Sequence, residues 1–316
     1  MSGRPDLLVI CGPTASGKTA LAVELALRLG GEVVSADSMQ VYRGMDVGTA
    51  KPTAQERRGV PHHMLDVADP WENYSVARYV QEAVPVVDDI LARGRLPILA
   101  GGTGLYLDAL VAGRAFAPLP VAAGLREELQ ARVLAQGLPA LRAELERVDP
   151  EAAGRIHPND EKRTVRALEV WYSTGKTISQ HNAETRALPA RYTPLTIGLN
   201  FADRRDLWAR IDRRVDQMME QGLAEEVSGL LAAGIPARCT AMQAIGYKEM
   251  AAALAAGRPP QEGAEEVKLR SRQYAKRQLT WFRRNPAVEW HLWENEPNFS
   301  NAVAHSTEFV QANGLV

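Results

Sequence analysis

The sequence is poor in cysteine. Only Cys11 and Cys239 occur among its 316 residues, which is too few for a disulfide framework or for a zinc site built from four thiolates. No apolar run approaches the roughly 18 residues that cross a bilayer, and the short polar start from Met1 to Asp6 leaves no space for a signal peptide. With 46% apolar and 24% charged residues, we expect a soluble globular protein of the reducing cytoplasm that does not contact a membrane.

The chain also lacks an excess of either charge, because its formal net charge is −1. Taken alone, this value argues weakly against a nucleic-acid partner, but the placement of charge matters more than the total. Between Lys268 and Arg284 there are seven basic residues and no acidic one. Any surface that binds a polyanion must therefore be local.

Strand and helix patterns alternate over most of the chain, which is typical of a parallel sheet covered by helices. Buried strands are predicted at Leu7–Cys11, Glu32–Ala36, Leu96–Ala100, Leu195–Leu199 and Val288–Trp293. Helices are predicted at Lys18–Arg28, Ser75–Arg93, from Leu105 onward, and at Arg204–Gln221, Ala224–Ala233 and Gln261–Arg284. The pair His62-His63 reads as a loop, and the tail from Glu294 carries no usable signal.

The pattern changes after Gly113. The segment from Pro118 to Thr185 has almost no strand signal and is rich in Ala, Leu, Arg and Glu, with helices predicted at Val121–Gln136 and Asp160–Ser173. We therefore predict a core formed by residues 1–118 and 191–316, and a helical insertion domain at 119–190.

A phosphate-binding motif follows the first predicted strand and opens the first helix. It fits the pattern G-x-x-x-x-G-K-[ST] and consists of Gly12, Pro13, Thr14, Ala15, Ser16, Gly17, Lys18 and Thr19. In such a P-loop segment, backbone N–H groups turn toward phosphate oxygens at the N-terminus of a helix, the lysine reaches the phosphates, and the threonine hydroxyl contacts Mg²⁺. The motif predicts an α/β fold with a P-loop NTPase-like parallel-sheet core that binds a diphosphate or triphosphate, and it does not specify ATP.

Two further strand ends carry polar or glycine-rich residues. Asp37 follows the second strand, and Gly101-Gly102-Thr103-Gly104 follows the strand Leu96–Ala100. Because sites in parallel sheets form at the carboxyl ends of strands, Asp37 can bind Mg²⁺ through water or accept a proton from a nucleophile, and Thr103 can bind a phosphate or a substrate hydroxyl. A turn-capping Asp37 and a purely structural glycine turn are the simpler alternatives.

Three basic helices are candidate anion-binding elements. Residues 276–284 mix cations with aromatic side chains, which suits phosphate contacts and base stacking, although a solvated helix with Trp281 and Phe282 in the core is the alternative. Residues 162–166 open a helix that Asn159 or Asp160 could cap. A third helix contains Arg210, Arg213 and Arg214, which either clamp a leaving diphosphate or pair with the local acids Asp212, Asp216 and Glu220.

These segments together resemble the bacterial tRNA dimethylallyltransferase family. The resemblance rests on Gly12–Thr19, the long block Asp37–Pro52, Gly101–Tyr106, residues 159–169, Ala244–Lys248 and Lys276–Arg284, which follow the family order across about residues 7–285. The block Asp37–Pro52 is highly specific, whereas many kinases share the P-loop. With only two cysteines in the chain, we do not expect the zinc-finger extension that some eukaryotic relatives carry.

The resemblance implies transfer of a dimethylallyl group from dimethylallyl diphosphate to the exocyclic amine of the adenosine 3′ to the anticodon of tRNA. It implies Asp37 as general base, Thr103 beside the reacting centre, Arg214 as diphosphate clamp, the P-loop segment as diphosphate site, Thr19 as a Mg²⁺ ligand, and an insertion that embraces the anticodon stem-loop. The tRNA contacts it implies are Asp37, Ser38, Met39, Gln40, Thr103, Lys162, Arg163, Thr164, Val165, Arg166, Gln243, Ala244, Ile245, Gly246, Tyr247, Lys248, Lys276, Arg277, Gln278, Leu279, Thr280, Trp281, Phe282 and Arg283. We expect a monomer.

Three rival functions stay open at this point. A P-loop kinase would turn over ATP and leave the insertion and residues 276–284 without a role. An adenylate dimethylallyltransferase would use free nucleotide and need no surface for an anticodon stem. A non-catalytic RNA-binding protein would not require an intact P-loop beside Asp37.

Overall fold

The computed structural model describes residues 4–113, 124–187 and 189–316. The chain divides into two compact units, one formed by Met1–Gly113 with Arg191–Val316 and the other by Arg114–Ala190. None of the helices in the described ranges has the length and apolar character needed to cross a membrane.

The first unit is built on a six-stranded sheet, counted over the described residues, in which every pairing is parallel. Its strands are β1 (Leu7–Cys11), β2 (Gly31–Ser35), β3 (His62–His63), β4 (Leu96–Ala100), β5 (Pro194–Phe201) and β6 (Val288–Trp293), in the spatial order β3-β2-β4-β1-β5-β6. The continuous apolar runs of β1 and β4 are buried, as expected for strands covered on both faces. The predicted α/β class with a parallel sheet is therefore confirmed.

The helices alternate with these strands in the first unit and form all of the regular structure in the described part of the second. They are α1 (Lys18–Leu29), α2 (Ala54–Arg57), α3 (Val76–Ala92), α4 (Gly104–Val111), α5 (Leu125–Gln136), α6 (Leu138–Val148), α7 (Pro150–Arg155), α8 (Glu161–Thr174), α9 (Ile178–Ala187), α10 (Arg204–Glu220), α11 (Leu223–Ala232), α12 (Tyr247–Ala255), α13 (Pro260–Phe282) and α14 (Phe299–Ala312).

The strand order brings the three candidate strand ends together. Because β2, β4 and β1 are neighbours in the sheet, the segments that leave their carboxyl ends start side by side. These segments carry Asp37, the turn Gly101–Gly104 and the P-loop segment. The topology thus supplies the edge at which a ligand site of a parallel sheet forms.

One sequence interpretation of the first unit is wrong, and one segment without a sequence signal contains a helix. His62 and His63 form the short edge strand β3, paired with Val33 and Val34, and His63 Nε2 contacts Glu32 Oε2 at 2.8 Å. The tail beyond Glu294 contains α14, which packs against α1.

The second unit has its own small core. Leu129, Leu141, Leu145 and Leu168 are completely buried there, and the buried carboxylate of Glu169 pairs with Arg126 and Arg166. Asp160 caps α8 by accepting a hydrogen bond from the backbone N–H of Arg163 at 3.1 Å. Residues 121–123 of the helix predicted at Val121–Gln136 lie outside the described residues.

Candidate active site

A cleft of about 970 Å³ lies at the carboxyl edge of the sheet. The P-loop segment lines it from Thr14 onward, together with Asp37, Gln40, the loop around Thr49–Thr53, Ala100–Gly102 and the α10 residues Arg210, Arg213 and Arg214. Tyr274 and Gln278 on α13 and Phe299 on α14 also line it. All of these residues belong to the first unit, so one compact body contains the whole cleft.

The P-loop segment adopts a conformation that depends on its glycines. Gly12 has φ 141°, and a Cβ there would lie 2.3 Å from the carbonyl oxygen of Leu199. Gly17 has φ 91° and packs against the ring of Phe299, which a Cβ would approach to 2.9 Å. The first-turn amides of α1 have no intrahelical acceptors and lie at the positive end of the helix dipole, so they form an anion-binding site.

Lys18 stands in this cleft near a second cation. Its Nζ donates a hydrogen bond of 2.6 Å to the carbonyl oxygen of Pro13. Burial, and then the proximity of Arg214, lower the pKa of Lys18 to about 8, while Asp37 opposes the shift. Two neighbouring cations in one cleft indicate a binding site for a multiply charged anion.

Arg214 differs from the other arginines of α10. Arg210 and Arg213 pair with Glu296 at 2.8 and 2.5 Å, and Arg210 Nε also donates to the carbonyl oxygen of Ala15 at 3.2 Å. Within the described residues Arg214 forms no ion pair, and burial in the cleft lowers its pKa against the opposing effect of Asp37. Arg214 is therefore the guanidinium that is available to a ligand.

Pairing within α10 is wrong as an explanation of these arginines. Two of the three acids proposed as their partners pair instead with α13, since Asp212 contacts Arg272 at 2.5 Å and Asp216 contacts Lys268 at 2.6 Å. Sequence reasoning did not identify Glu296 as the partner of Arg210 and Arg213. Glu296 lies more than 80 residues away in the chain, and no sequence pattern links it to α10.

Asp37 caps a turn and faces the cleft at the same time. Its Oδ1 accepts hydrogen bonds from the backbone N–H groups of Met39 at 2.9 Å and Gln40 at 3.4 Å. Its Oδ2 has no hydrogen-bond partner within the described part of the chain. The turn-capping alternative and the catalytic one are therefore compatible, because each uses a different oxygen.

Thr103 connects the ends of β2 and β4. Its Oγ1 accepts a hydrogen bond of 3.1 Å from the backbone N–H of Ser38 and lies 3.4 Å from Ser38 Oγ. Gly101 allows this approach, because a Cβ there would lie 2.2 Å from the carbonyl oxygen of Ala36. Thr103 is thus hydrogen-bonded to the residue after Asp37, but Thr103 itself does not line the cleft. Tyr274, which sequence reasoning missed, lines the cleft, and burial raises the pKa of its hydroxyl to about 12.

The candidate tRNA contacts divide by exposure. The exposed ones are Lys162, Arg163, Gln243, Lys248, Lys276, Arg277, Thr280 and Arg283. The half-buried ones are Asp37, Ser38, Met39, Gln40, Thr103, Arg166, Ile245, Leu279 and Trp281. The buried ones are Thr164, Val165, Ala244, Gly246, Tyr247, Gln278 and Phe282. Buried members can support an RNA surface but cannot touch RNA as they stand.

The segment 243–248 has a structural role that the sequence did not reveal. The hydroxyl of Tyr247 donates to Glu226 Oε1 at 2.5 Å, and the Glu226 carboxylate accepts the N–H groups of Asp46, Val47 and Gly48 at 2.8, 2.9 and 3.1 Å. Gly48 is required here, because a Cβ would lie 2.5 Å from the Tyr247 ring. These contacts fix the loop 46–48, part of which lines the cleft.

The oxygen donors at the cleft suit a hard cation. Thr19 and Asp37 both line it, and Mg²⁺ is commonly held by one or two protein oxygens together with substrate phosphates and water. Within the described ranges, no group of three or more His, Cys, Asp or Glu side chains is placed to hold a metal ion.

Comparison with known proteins decides the family. Residues 40–285 match the family model described as IPP transferase, and residues 5–72 match the one described as isopentenyl transferase. A tRNA dimethylallyltransferase 1 of Trichlorobacter lovleyi is 47% identical over 304 residues, covering 95% of this chain and 98% of that protein. The tRNA dimethylallyltransferase of Geobacter sulfurreducens is 50% identical over 288 residues, 91% and 92% of the two chains.

The chain belongs to the tRNA dimethylallyltransferase family. Solved structures agree with this. A tRNA isopentenylpyrophosphate transferase from Bacillus halodurans matches with a TM-score of 0.73 and 44% identity over 98% of this chain and 96% of its own. A eukaryotic dimethylallyltransferase acting on tRNA matches with a TM-score of 0.81 and 30% identity, over 98% and 80%. The family that the sequence motifs indicated for this chain is thus confirmed.

Proposed function

We propose that this chain transfers the dimethylallyl group of dimethylallyl diphosphate to the exocyclic amine of the adenosine 3′-adjacent to the anticodon of tRNA, on a P-loop NTPase-like core. The observation that carries the proposal is the arrangement of the cleft, where Lys18 and Arg214 lie on the same cavity as Asp37. Two cations suit the departing diphosphate, and a carboxylate beside them suits an amine that must lose a proton.

The diphosphate side of the reaction is assigned to the P-loop segment. Its amides and Lys18 bind the phosphate oxygens, and Arg214 stabilises the charge that grows as the bond between the allylic carbon and the diphosphate oxygen breaks. Thr19 would hold Mg²⁺ together with the diphosphate and water, and the ion would supply further charge neutralisation.

The acceptor side is assigned to Asp37 and Thr103. The new bond joins the exocyclic nitrogen of adenine to the allylic carbon, and the nitrogen loses its proton to Asp37 Oδ2, the oxygen that the turn does not use. Thr103, bonded to Ser38, sets the position of the turn that carries Asp37. The adenine has to leave its stack and enter the cleft for this geometry to form.

The tRNA surface is assigned to the exposed cations of α8 and α13 and to Gln243 and Lys248. Phosphate contacts of this kind provide affinity without sequence information. We further propose that residues 119–190 embrace the anticodon stem-loop and that the chain acts as a monomer in the cytoplasm.

A transfer assay tests the proposed function. The protein is mixed with Mg²⁺, dimethylallyl diphosphate and unmodified tRNA, and the digested nucleosides are read by mass spectrometry, with AMP and ATP as parallel acceptors. We expect isopentenyladenosine in the tRNA alone. Asp37→Asn keeps the turn-capping oxygen and removes the base, so its rate should fall by about 10²-fold or more, while Asp89→Ala, an exposed control, should act like the unaltered chain. Phosphate transfer from ATP to a small acceptor, without tRNA modification, would identify a kinase instead.

A further inference from the structure

Gln278 is a buried amide near the C-terminal end of α13, a helix with several exposed cations. Its side chain is directed into the first unit, and the residue is only 5% exposed. Its neighbours Lys276 and Arg277 are exposed, so this position of α13 faces away from the surface assigned to RNA. A polar side chain buried in this way requires partners for both its carbonyl and its amide nitrogen.

Both partners are loops of the cleft. Gln278 Oε1 accepts a hydrogen bond of 2.9 Å from the backbone N–H of Thr14 in the P-loop segment. Gln278 Nε2 donates a hydrogen bond of 2.9 Å to the carbonyl oxygen of Gly102. Because one partner is a donor and the other an acceptor, the orientation of the amide is fixed by chemistry.

Gly102 makes room for this amide. A Cβ at Gly102 would lie 2.2 Å from Gln278 Nε2, so the amide occupies the volume that a side chain would fill. The same end of α13 contacts the glycine turn at a second point. Trp281, three residues later, covers Gly104, where a Cβ would lie 2.3 Å from the indole.

The two loops bonded by Gln278 belong to opposite halves of the proposed reaction. Thr14 is part of the segment assigned to the departing diphosphate, and Gly102 precedes Thr103, which is bonded to the turn of Asp37. We propose that Gln278 is a positioning residue that sets the distance between the diphosphate site and the acceptor site, an inference that rests on the proposed function. Since a misplacement of about 1 Å can lower a rate by about 10²-fold, an amide that bonds both loops has a direct route to kcat.

The test compares Gln278→Met, which keeps the length of the side chain and removes both hydrogen bonds, with Gln273→Met, an exposed control five residues earlier on α13. Three quantities are measured on folded protein: kcat for transfer to tRNA, KM for tRNA, and the Kd of inorganic diphosphate. For Gln278→Met we expect kcat to fall roughly 10- to 100-fold, with KM for tRNA and the diphosphate Kd each changing less than about threefold. Gln273→Met should leave all three unchanged.

Two results would overturn the inference. One is an unchanged kcat in Gln278→Met. The other is a loss of kcat matched by an equal weakening of diphosphate binding, since Gln278 would then only shape the P-loop segment. Gln278→Glu, which still accepts from Thr14 but cannot donate to Gly102, should also lose kcat, and it replaces Gln278→Met should that variant fail to fold. If the native chain bound diphosphate but transferred nothing to tRNA, the proposed function would be refuted and this inference with it. If the native chain transfers normally, the results for the variants test this inference alone.

Discussion

The indole Nε1 of Trp293 donates a hydrogen bond of 2.9 Å to the carbonyl oxygen of Ser16, 277 residues earlier in the chain. The last strand of the sheet therefore contacts the P-loop segment directly. Phe299, at the start of α14, packs on Gly17 of the same segment, and Glu296 pairs with two arginines of α10. The C-terminal part of the chain thus stabilises the P-loop segment and α10 through the contacts of Trp293, Phe299 and Glu296.

Replacing Trp293 by Phe tests this support. The variant keeps an aromatic ring in the core and loses the hydrogen bond to Ser16, which we expect to lower the free energy of unfolding by about 1 kcal/mol. Because the lost bond anchors the P-loop segment, KM for dimethylallyl diphosphate should rise while KM for tRNA stays constant. Trp208→Phe, at a position 40% exposed, is the control for thermal unfolding and kinetics. Equal KM values for Trp293→Phe and the native chain would show that the bond serves the fold alone.

Glu226 makes a comparable connection to a second loop that lines the cleft, residues 46–48. Its carboxylate accepts three backbone N–H groups of residues 46–48 and the hydroxyl of Tyr247. Glu226→Gln removes the charge and exchanges one acceptor for a donor, so we expect a loss of about 1.5–3 kcal/mol in the free energy of unfolding. Glu225→Gln, its exposed neighbour, should unfold as the native chain does in the same denaturant titration.

The sequence predicted the sheet and the meeting of three strand ends because these depend on local patterns. Leu7–Cys11 and Leu96–Ala100 are apolar runs of strand length, and the glycines of Gly12–Gly17 mark a turn that other residues adopt with strain. The partners of Arg213, Glu226 and Gln278 were not predictable in the same way. Each lies far away in the chain and is brought close by packing, so no spacing rule connects it to its contact.

Exposure explains most of the remaining differences. The segment Gln243–Lys248 was interpreted as an RNA contact, but Tyr247 points inward to Glu226 and only the two ends are exposed. A sequence shows which side chains are cationic or aromatic, and it does not show which side of a helix the rest of the protein covers. His62-His63 gave no strand signal because an edge pairing of two residues is too short for a periodic pattern.

The lowered pKa of Lys18 predicts a specific pH dependence. In the free protein Lys18 loses its proton as the pH rises through about 8, so diphosphate binding should weaken above that pH. KM for dimethylallyl diphosphate should be constant from pH 7 to 8 and should rise between pH 8 and 10. In the variant Lys18→Arg this rise should disappear, because a guanidinium remains charged over the whole range. A rise of the same size in Lys18→Arg would show that another group titrates.

The same shift has a consequence for stability, with the opposite sign. Between pH 8 and 10.5 the unfolded chain keeps a proton on Lys18 that the folded chain has released. The contribution of this group to the free energy of unfolding therefore increases as the pH rises through that window. The free energy of unfolding, measured by chemical denaturation and plotted against pH, should have different slopes for the native chain and Lys18→Met in this window. Below pH 7 the two slopes should be equal.

Arg214 and Arg213 are adjacent in the chain but differ in what they contact. Arg213 pairs with Glu296, whereas Arg214 faces the cleft without an ion pair among the described residues. Arg214→Ala should lower kcat for tRNA modification by about 10²- to 10³-fold, as expected for a group that stabilises charge in the transition state. Arg213→Ala should cost less than about threefold, and a larger loss in Arg213→Ala than in Arg214→Ala would reverse the assignment of the clamp.

The exposed cations of α13 predict a salt-dependent interaction with tRNA. Lys276, Arg277 and Arg283 are exposed, and each phosphate contact adds about 0.7–0.9 to the slope of log Kd against log salt concentration. The triple alanine variant should therefore bind tRNA more weakly at low salt and should show a slope smaller by about 2–3. Arg4, Arg95 and Arg258, which lie outside the proposed surface, give a triple alanine control of equal charge. If tRNA binding and its salt slope survived the first change, RNA binding would have to be reassigned to the cations of α8.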